Sequence, residues 1–330
     1  MTPPTDPTAS TAPTVPTVLT VLTVPTVPTV PPSAIASMLL VVLIWGLNFT
    51  VTKLSFREFP PLAFTAVRFG LSSACILLVL QWSEGSIRVP RGAWVPLTLL
   101  GVIGNSAYQV LFVLGLERTT ATNSSLVLAS MPALVAAIGA ASATEHLSAN
   151  GKRGLILASL GVVLVVAAQG VEFSARTLSG DALTVVAVVC WAVFTVGIRR
   201  LDFPMSPLAI TAWTTVLGTP LLVAAGVPDM LRMDWSATSI GGWGGVAYSS
   251  LLSLIFAYVL WNRSIRVVGP NRTAIFACVT PLVATGTAVL VLGERPVPAQ
   301  LIGGALVLAG VLLSQRRATP AAPPAGPSRA

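Results

Sequence analysis

PLVATGTAVLVLGERPVPAQLIGGALVLAG, residues Pro281 to Gly310, is the stretch from which the fold is read. Moved back 149 positions it falls on PALVAAIGAASATEHLSANGKRGLILASLG, which places Pro281 on Pro132, Glu294 on Glu145, Gly303 on Gly154 and Gly310 on Gly161. Glutamate is rare in this chain, so agreement of proline, glutamate and glycine at one offset, inside two apolar runs, marks an internal repeat. Three more pairs hold at a neighbouring offset of 146: Trp45 with Trp191, Lys53 with Arg199 and Pro61 with Pro207. The chain is therefore read as two halves.

The medium around those halves follows from composition. Hydrophobic residues make up 54% of the 330 and charged residues only 9%, with a mean hydropathy of +0.84; soluble domains carry roughly a quarter charged residues. The lipid bilayer is the expected surrounding. A net charge of +8 could suggest a nucleic-acid partner, but the basic residues sit at the ends of apolar runs, as membrane-flanking anchors do, and no nucleic acid is expected. Cys75, Cys190 and Cys278 fall within apolar runs with no Cys-x-x-Cys spacing, which reads as packing rather than a disulfide or metal framework.

Residues 1–33 form a Thr, Pro and Val tract, expected to be an extended, disordered tail. It lacks the basic start and unbroken apolar core of a secretory signal. From Ala34 on, runs near the ~20 residues needed to cross ~30 Å of hydrocarbon follow one another. Ten spans are predicted, at 34–52, 62–82, 94–116, 121–143, 154–171, 182–198, 207–227, 240–261, 273–292 and 298–315. Sorting Lys and Arg by loop puts twelve on the side of the N-terminus, which include Arg88, Lys152, Arg200, Arg263 and Arg316, and six on the other, namely Lys53, Arg57, Arg118, Arg176, Arg232 and Arg295. The richer side is expected to be cytoplasmic, so both termini, including a short disordered tail at 316–330, are expected there, in a multi-pass plasma membrane protein. Five spans per half is an odd number. The second half must enter the membrane from the opposite side, which is the inverted-repeat plan of secondary transporters.

WGLNFTVTK at Trp45 to Lys53, AVRF at Ala66 to Phe69, and AYVLWNRSIRVVGPNRTAIFACVTPLVATGTAVLVLGE from Ala257 to Glu294 together resemble the drug/metabolite transporter superfamily in its ten-helix EamA-type branch. The resemblance runs twice over about 34–315 and implies an all-α integral membrane fold of ten transmembrane helices, as inverted five-helix repeats at 34–171 and 180–315. The first repeat has Thr144-Glu145-His146 where Gly293-Glu294-Arg295 stands in the second, which weakens any universal role for the arginine.

Polar side chains deep in spans are the default solute-binding candidates, because a bilayer makes them costly. Arg68 lies six residues into its predicted span, roughly 9 Å deep. It is expected to contact solute, or else to pair with backbone carbonyls or a polar neighbour, and its length also permits snorkelling to the surface. Trp45 and Asn48 share one helix face, as do Asn105, Tyr108 and Gln109. Trp191 is central in the sixth span, and Tyr258 is the repeat mate of Gln109. Together these residues could wall a pocket for a small amphipathic solute; the competing readings are helix-to-helix adhesion and contact with lipid. Glu145 and Glu294 end apolar runs and are read as structural, accepting from helix-start amides or pairing with Lys152, Arg153 or Arg295. The paired glycines allow close approach of the fifth and tenth spans to neighbours. Pro132 and Pro281 interrupt their helices and are candidate flexing points.

Several chemistries are unsupported. There is no Gly-x-x-x-x-Gly-Lys-[Ser/Thr] loop for ATP, His146 stands alone without metal-ligand spacing, and the Gly241 to Gly245 cluster follows no strand. No cofactor or metal is expected. No Asp or Glu is predicted deep in any span, so a buried carboxylate for proton coupling is not visible. The expected activity is secondary transport of a small-molecule solute by alternating access, with efflux of amino acids or related metabolites implied by the resemblance. A polytopic enzyme on lipid-linked substrates, or a non-transporting scaffold, is the alternative. Oligomeric state is not read from the sequence.

Overall fold

The computed structural model describes residues 32–142, 149–168, 174–268, 276–277 and 279–314. Both tails, Glu145 and Cys278 lie outside them. Among the described residues all regular structure is helical. Eight helices of 19 to 28 residues are long and apolar enough to cross a membrane: α1 (Pro32–Ser55), α2 (Pro61–Glu84), α3 (Arg91–Arg118), α4 (Ala121–Ala141), α5 (Ala149–Ala167), α6 (Ala175–Ile198), α7 (Pro207–Arg232) and α8 (Ile240–Trp261). Two shorter apolar helices follow, α9 (Thr280–Leu292) and α10 (Pro298–Leu313). Leu39, Leu78, Leu160 and Leu290 project outward exposed, as side chains meant for lipid do.

Local signals set the ends. Prolines sit in the first turns of α2 and α7, where a missing N–H is harmless. Side chains of Thr120, Ser206 and Ser239 accept from the backbone N–H three residues on and start α4, α7 and α8. Gly85 and Gly293 leave α2 and α9 in the left-handed conformation, at φ of 67° and 71°, which glycine adopts without a Cβ penalty. Three starts differ from the sequence reading. Helix α5 is already helical at Ala149, ahead of 154, α6 begins at Ala175 rather than 182, and α9 begins at Thr280 rather than 273. For α6 the cause is a reciprocal capping box between Ser174 and Thr177, which adds two polar turns ahead of the apolar run.

Packing obeys a two-fold rule. Helix α1 packs on α8 and α9, while its mate α6 packs on α3 and α4, the mates of those partners. Likewise α3 meets α7 and α2 meets α8, whereas α2–α7 and α5–α10 pair mate with mate across the axis. Ser73 and Thr219, 146 residues apart, join hydroxyls at 2.7 Å at the α2–α7 crossing. Between α5 and α10, Gly161 lies against Gly303 and Gly310 against Gly154, so each glycine faces the mate of its own partner. This is the geometry of two antiparallel copies.

The symmetry extends to one pair of irregularities, while a third π-helical segment, Ala288–Leu292 of α9, has no counterpart among the described residues of α4. Helix α3 carries a π-helical segment at Val102–Ala107, and α8 carries one at Tyr248–Phe256. Advancing 102–107 by 149 gives 251–256, inside the second segment. Wide turns of this kind are rare and concentrate at functional sites. Helix α4 breaks at Ala129–Ser130, with Pro132 in the first turn of its second part, and Pro281 occupies the first turn of α9. Both prolines thus begin helical segments.

Candidate solute site

Helix α2 carries Arg68 seven residues beyond Pro61, about 10 Å along the axis. The side chain does not snorkel: it is 2% exposed, and its guanidinium stands 5.4 Å from the ring centres of Phe64 and Phe69. The reason is local. Phe64 and Phe69 lie four before and one after it on the same helix, and Gln109 of α3 offers Oε1 to Nη2 in a short hydrogen bond. The Nε–H is buried with no acceptor.

Gln109 is preceded by Tyr108, whose ring stacks on Phe112 at 5.8 Å and meets Trp191 of α6 at 4.9 Å. Phe49 of α1 joins Phe112 edge to face at 5.8 Å, and Phe194 lies 5.1 Å from Trp191. On the other flank Trp45 of α1 contacts Tyr258 at 5.8 Å and Trp261 at 5.1 Å, and its indole N–H donates to Ser253 O at 3.1 Å. The Tyr248 hydroxyl donates to Ile44 O, locking α8 to α1. Arg68 lies within electrostatic range of both Tyr108 and Tyr258, and the two tyrosines of each other. Neither tyrosine hydroxyl has a hydrogen-bond partner among the described residues.

Six of the eight predicted solute residues are thus gathered around one buried cation: Arg68, Gln109, Tyr108, Trp191, Tyr258 and Trp45. The remaining two stand apart. Asn48 and Asn105 each bury one polar atom without a partner, Oδ1 and Nδ2, and no hydrogen bond or ring contact ties them to the cluster. Asn105 faces α7, with its Cβ beside Gly218. The aromatic partners Phe49, Phe112 and Phe194 were not anticipated, although each follows a predicted aromatic by three or four residues, the spacing that shares a helix face.

A second polar centre lies where α1, α3 and α9 end and α4, α6 and α10 begin. It corrects two sequence expectations. Asp181 is a fully buried acid seven residues past the Ser174 cap, so a carboxylate does lie within a helix that crosses the membrane. It accepts from Thr119 Oγ1 at 2.6 Å and from Asn123 Nδ2 at 3.2 Å. Gln300 of α10 donates to Asn123 Oδ1 at 2.8 Å, and Lys53 caps the end of α3 through Leu116 O at 2.6 Å and through Thr119 O.

The second concerns Glu294, which does accept from helix-start amides, but from those of α4 in the other repeat and not from a neighbour in its own. Its carboxylate accepts from Ala121 N at 2.7 Å, Thr122 N at 3.0 Å and Thr122 Oγ1 at 2.7 Å. The left-handed Gly293 turns it that way, and Arg295 stays exposed. Glu294→Gln removes the charge facing three donors and is expected to lower stability by about 1–2 kcal/mol. A thermal unfolding midpoint in detergent lowered by a few degrees checks this; an unchanged midpoint refutes the capping role. Beside it opens a cleft of about 530 Å³ lined by Lys53, Arg57, Arg118 and Arg176 against Glu117 and Glu294. Glu294 is the one predicted site residue that this cleft contains.

Known proteins share this architecture. The chain matches the EamA-like transporter family twice, over residues 32–167 and 178–315. It is 30% identical over 277 residues to an uncharacterized transporter, YyaM, of Bacillus subtilis, covering 81% of this chain and 88% of that one. It is 27% identical to a probable amino-acid metabolite efflux pump of Salmonella typhimurium, covering 84% and 92%, and 25% identical to a probable terminal-alkyne amino-acid exporter of Streptantibioticus cattleyicolor, covering 86% and 94%. A crystal structure of a protein 20% identical in sequence superposes with a TM-score of 0.60, covering 86% of this chain and 96% of that one, which shows the shared fold. Two matched repeats, mated helix contacts and a multi-pass apolar chain lead to one assignment: the protein belongs to the EamA-like transporter family.

Proposed function

We propose that this transporter exports small amphipathic metabolites, amino acids or their close relatives, across the plasma membrane by alternating access, with both termini in the cytoplasm. The carrying observation is the buried cluster in which Arg68, Gln109 and Tyr108 from one repeat meet Trp191 and Tyr258 from the other. A site shared by two inverted repeats changes its exposure when one repeat rocks against the other. Aromatic walls receive the apolar part of a solute, and the guanidinium, amide and phenols receive its polar end. The names carried by the Salmonella and Streptantibioticus relatives support amino-acid-like solutes, and the two-to-one distribution of Lys and Arg supports the orientation.

The test is efflux and toxicity resistance for a panel of amino acids, nucleosides and amphipathic toxins, in cells with and without the protein. A solute whose accumulation falls with expression supports the proposal; no responding solute at confirmed membrane expression refutes it. Within the same reading, the break before Pro132 is a flexing point. Pro132→Ala, which permits a continuous α4, is expected to slow efflux several-fold while the unfolding midpoint stays level or rises. An unchanged efflux rate removes Pro132 from the mechanism.

A further inference from the structure

Charge compensation around Arg68 narrows the class of solute. A guanidinium 2% exposed within a bilayer-spanning helix needs an anion or a full set of acceptors. Here it has one neutral acceptor, Gln109 Oε1, and two phenylalanine faces. Among the described residues no carboxylate lies within ion-pair distance of it, and its electrostatic neighbours are the phenols of Tyr108 and Tyr258. The two acids of the second polar centre, Asp181 and Glu294, are occupied by Thr119 and Asn123 and by the start of α4. The Nε–H remains buried with nothing to bond. A structural arginine would be satisfied by the fold itself; this one is left with a directed donor and a net charge.

Resting on the reading of this cluster as the transport site, we infer that Arg68 is the receptor for a single carboxylate on the solute, and that the solute's amino group is dispensable. The carboxylate takes the Nε–H and a further guanidinium N–H in charge-assisted hydrogen bonds, with the free Tyr108 and Tyr258 hydroxyls available as additional donors. The same cluster offers no acidic side chain to an ammonium group. Its remaining walls, Trp45, Trp191 and Phe112, take an apolar remainder. The class is therefore apolar monocarboxylates: amino acids with hydrophobic side chains, and equally their N-acyl and deaminated counterparts. Amides and decarboxylated amines of the same skeleton are excluded, because both lack the carboxylate and, with their amino group protonated, bring a second cation to an unpaired one.

The experiment uses the full-length protein in detergent, with the unfolding midpoint followed by tryptophan fluorescence. The probes are L-phenylalanine, N-acetyl-L-phenylalanine, phenylpropionate, L-phenylalaninamide and phenethylamine, together with the corresponding leucine series. The three carboxylates of each series are expected to raise the midpoint with similar midpoint concentrations, and the amide and amine to need at least about tenfold more. Arg68→Gln and Arg68→Lys are expected to lose the carboxylate response by at least about tenfold, the lysine because a point charge cannot reproduce the fork. Arg68→Gln is also expected to unfold no earlier than the native protein, since it removes an uncompensated buried charge; an early midpoint in both variants assigns Arg68 a structural role and overturns the inference. Equal responses to carboxylate and amide, an undiminished response in Arg68→Gln, or no response to any carboxylate also overturn it. Proteoliposome counterflow separates this from the transport reading: movement of amides or amines without carboxylates sinks the carboxylate receptor alone, and movement of no solute sinks both.

Discussion

Gly161→Val is expected to destabilise the fold of the transporter strongly, whereas Gly70→Val leaves it nearly intact. A Cβ at Gly161 would come within 2.6 Å of both Gly303 O and Val307 N on α10, and those are backbone atoms with nowhere to go. At Gly70, on the lipid-facing side of α2, nothing lies within 4 Å of the same added atom. The two substitutions share a chemistry and differ only in what they meet. Helices in a bilayer gain little from a hydrophobic drive toward each other, so close backbone approach between small residues supplies much of their affinity. Forcing α5 and α10 apart removes that contact along the whole crossing, because Gly154, Gly161, Gly303 and Gly310 all lie in it. The expected loss is about 3 kcal/mol or more, at the upper end for overpacking, against under ~1 kcal/mol for the propensity change at Gly70. Labelling of the partly buried Cys75 and Cys190 by a thiol-reactive dye during heating reads both variants. If Gly161→Val melts with Gly70→Val, the α5–α10 seam is not what holds the repeats together.

Close approach at these glycines was legible in the sequence because glycine recurs at one offset in two long apolar runs; that α5 and α10 approach each other was not. The ten apolar helices, eight of full spanning length and two shorter, and the two repeats were legible for a similar reason: the length of an apolar run is set by the bilayer, which acts on every helix alike. The cluster around Arg68 was half legible. Its polar and aromatic members stand out against an apolar background, but which helix faces turn toward one another depends on packing, so Asn48 and Asn105 were grouped with residues that they do not touch. The π-helical segments left no mark in composition. Asp181 was missed because the apolar run begins after it; only the Ser174 and Thr177 pair signals that the helix already exists two turns earlier.

Asp181→Ala is expected to cost about 2–4 kcal/mol, and Asp181→Asn roughly half as much. The carboxylate is fully buried and answers two donors, Thr119 Oγ1 and Asn123 Nδ2. Alanine leaves the Asn123 amide only a long contact on that side, Thr119 Oγ1 at 3.5 Å, whereas asparagine still presents one oxygen but turns an N–H toward a donor. The damage spreads because the group is a node. Thr119 also receives Lys53 of α1 through its carbonyl, and Asn123 accepts from Gln300 of α10, so one carboxylate orders the ends of α1 and α3 and the starts of α4, α6 and α10. Networks of this kind are worth more than their separate bonds. A double-mutant cycle between Asp181→Asn and Gln300→Ala should therefore show coupling, although the two side chains are joined only through Asn123. The unfolding midpoint of each single variant and of the pair gives the result. Additive losses would mean that Asp181 and Gln300 act as independent contacts, and the five helix ends are then held by local caps alone. Coupling of about 0.5 kcal/mol or more establishes them as one unit, in which the buried carboxylate and the α10 amide act through Asn123 to hold the five helix ends together.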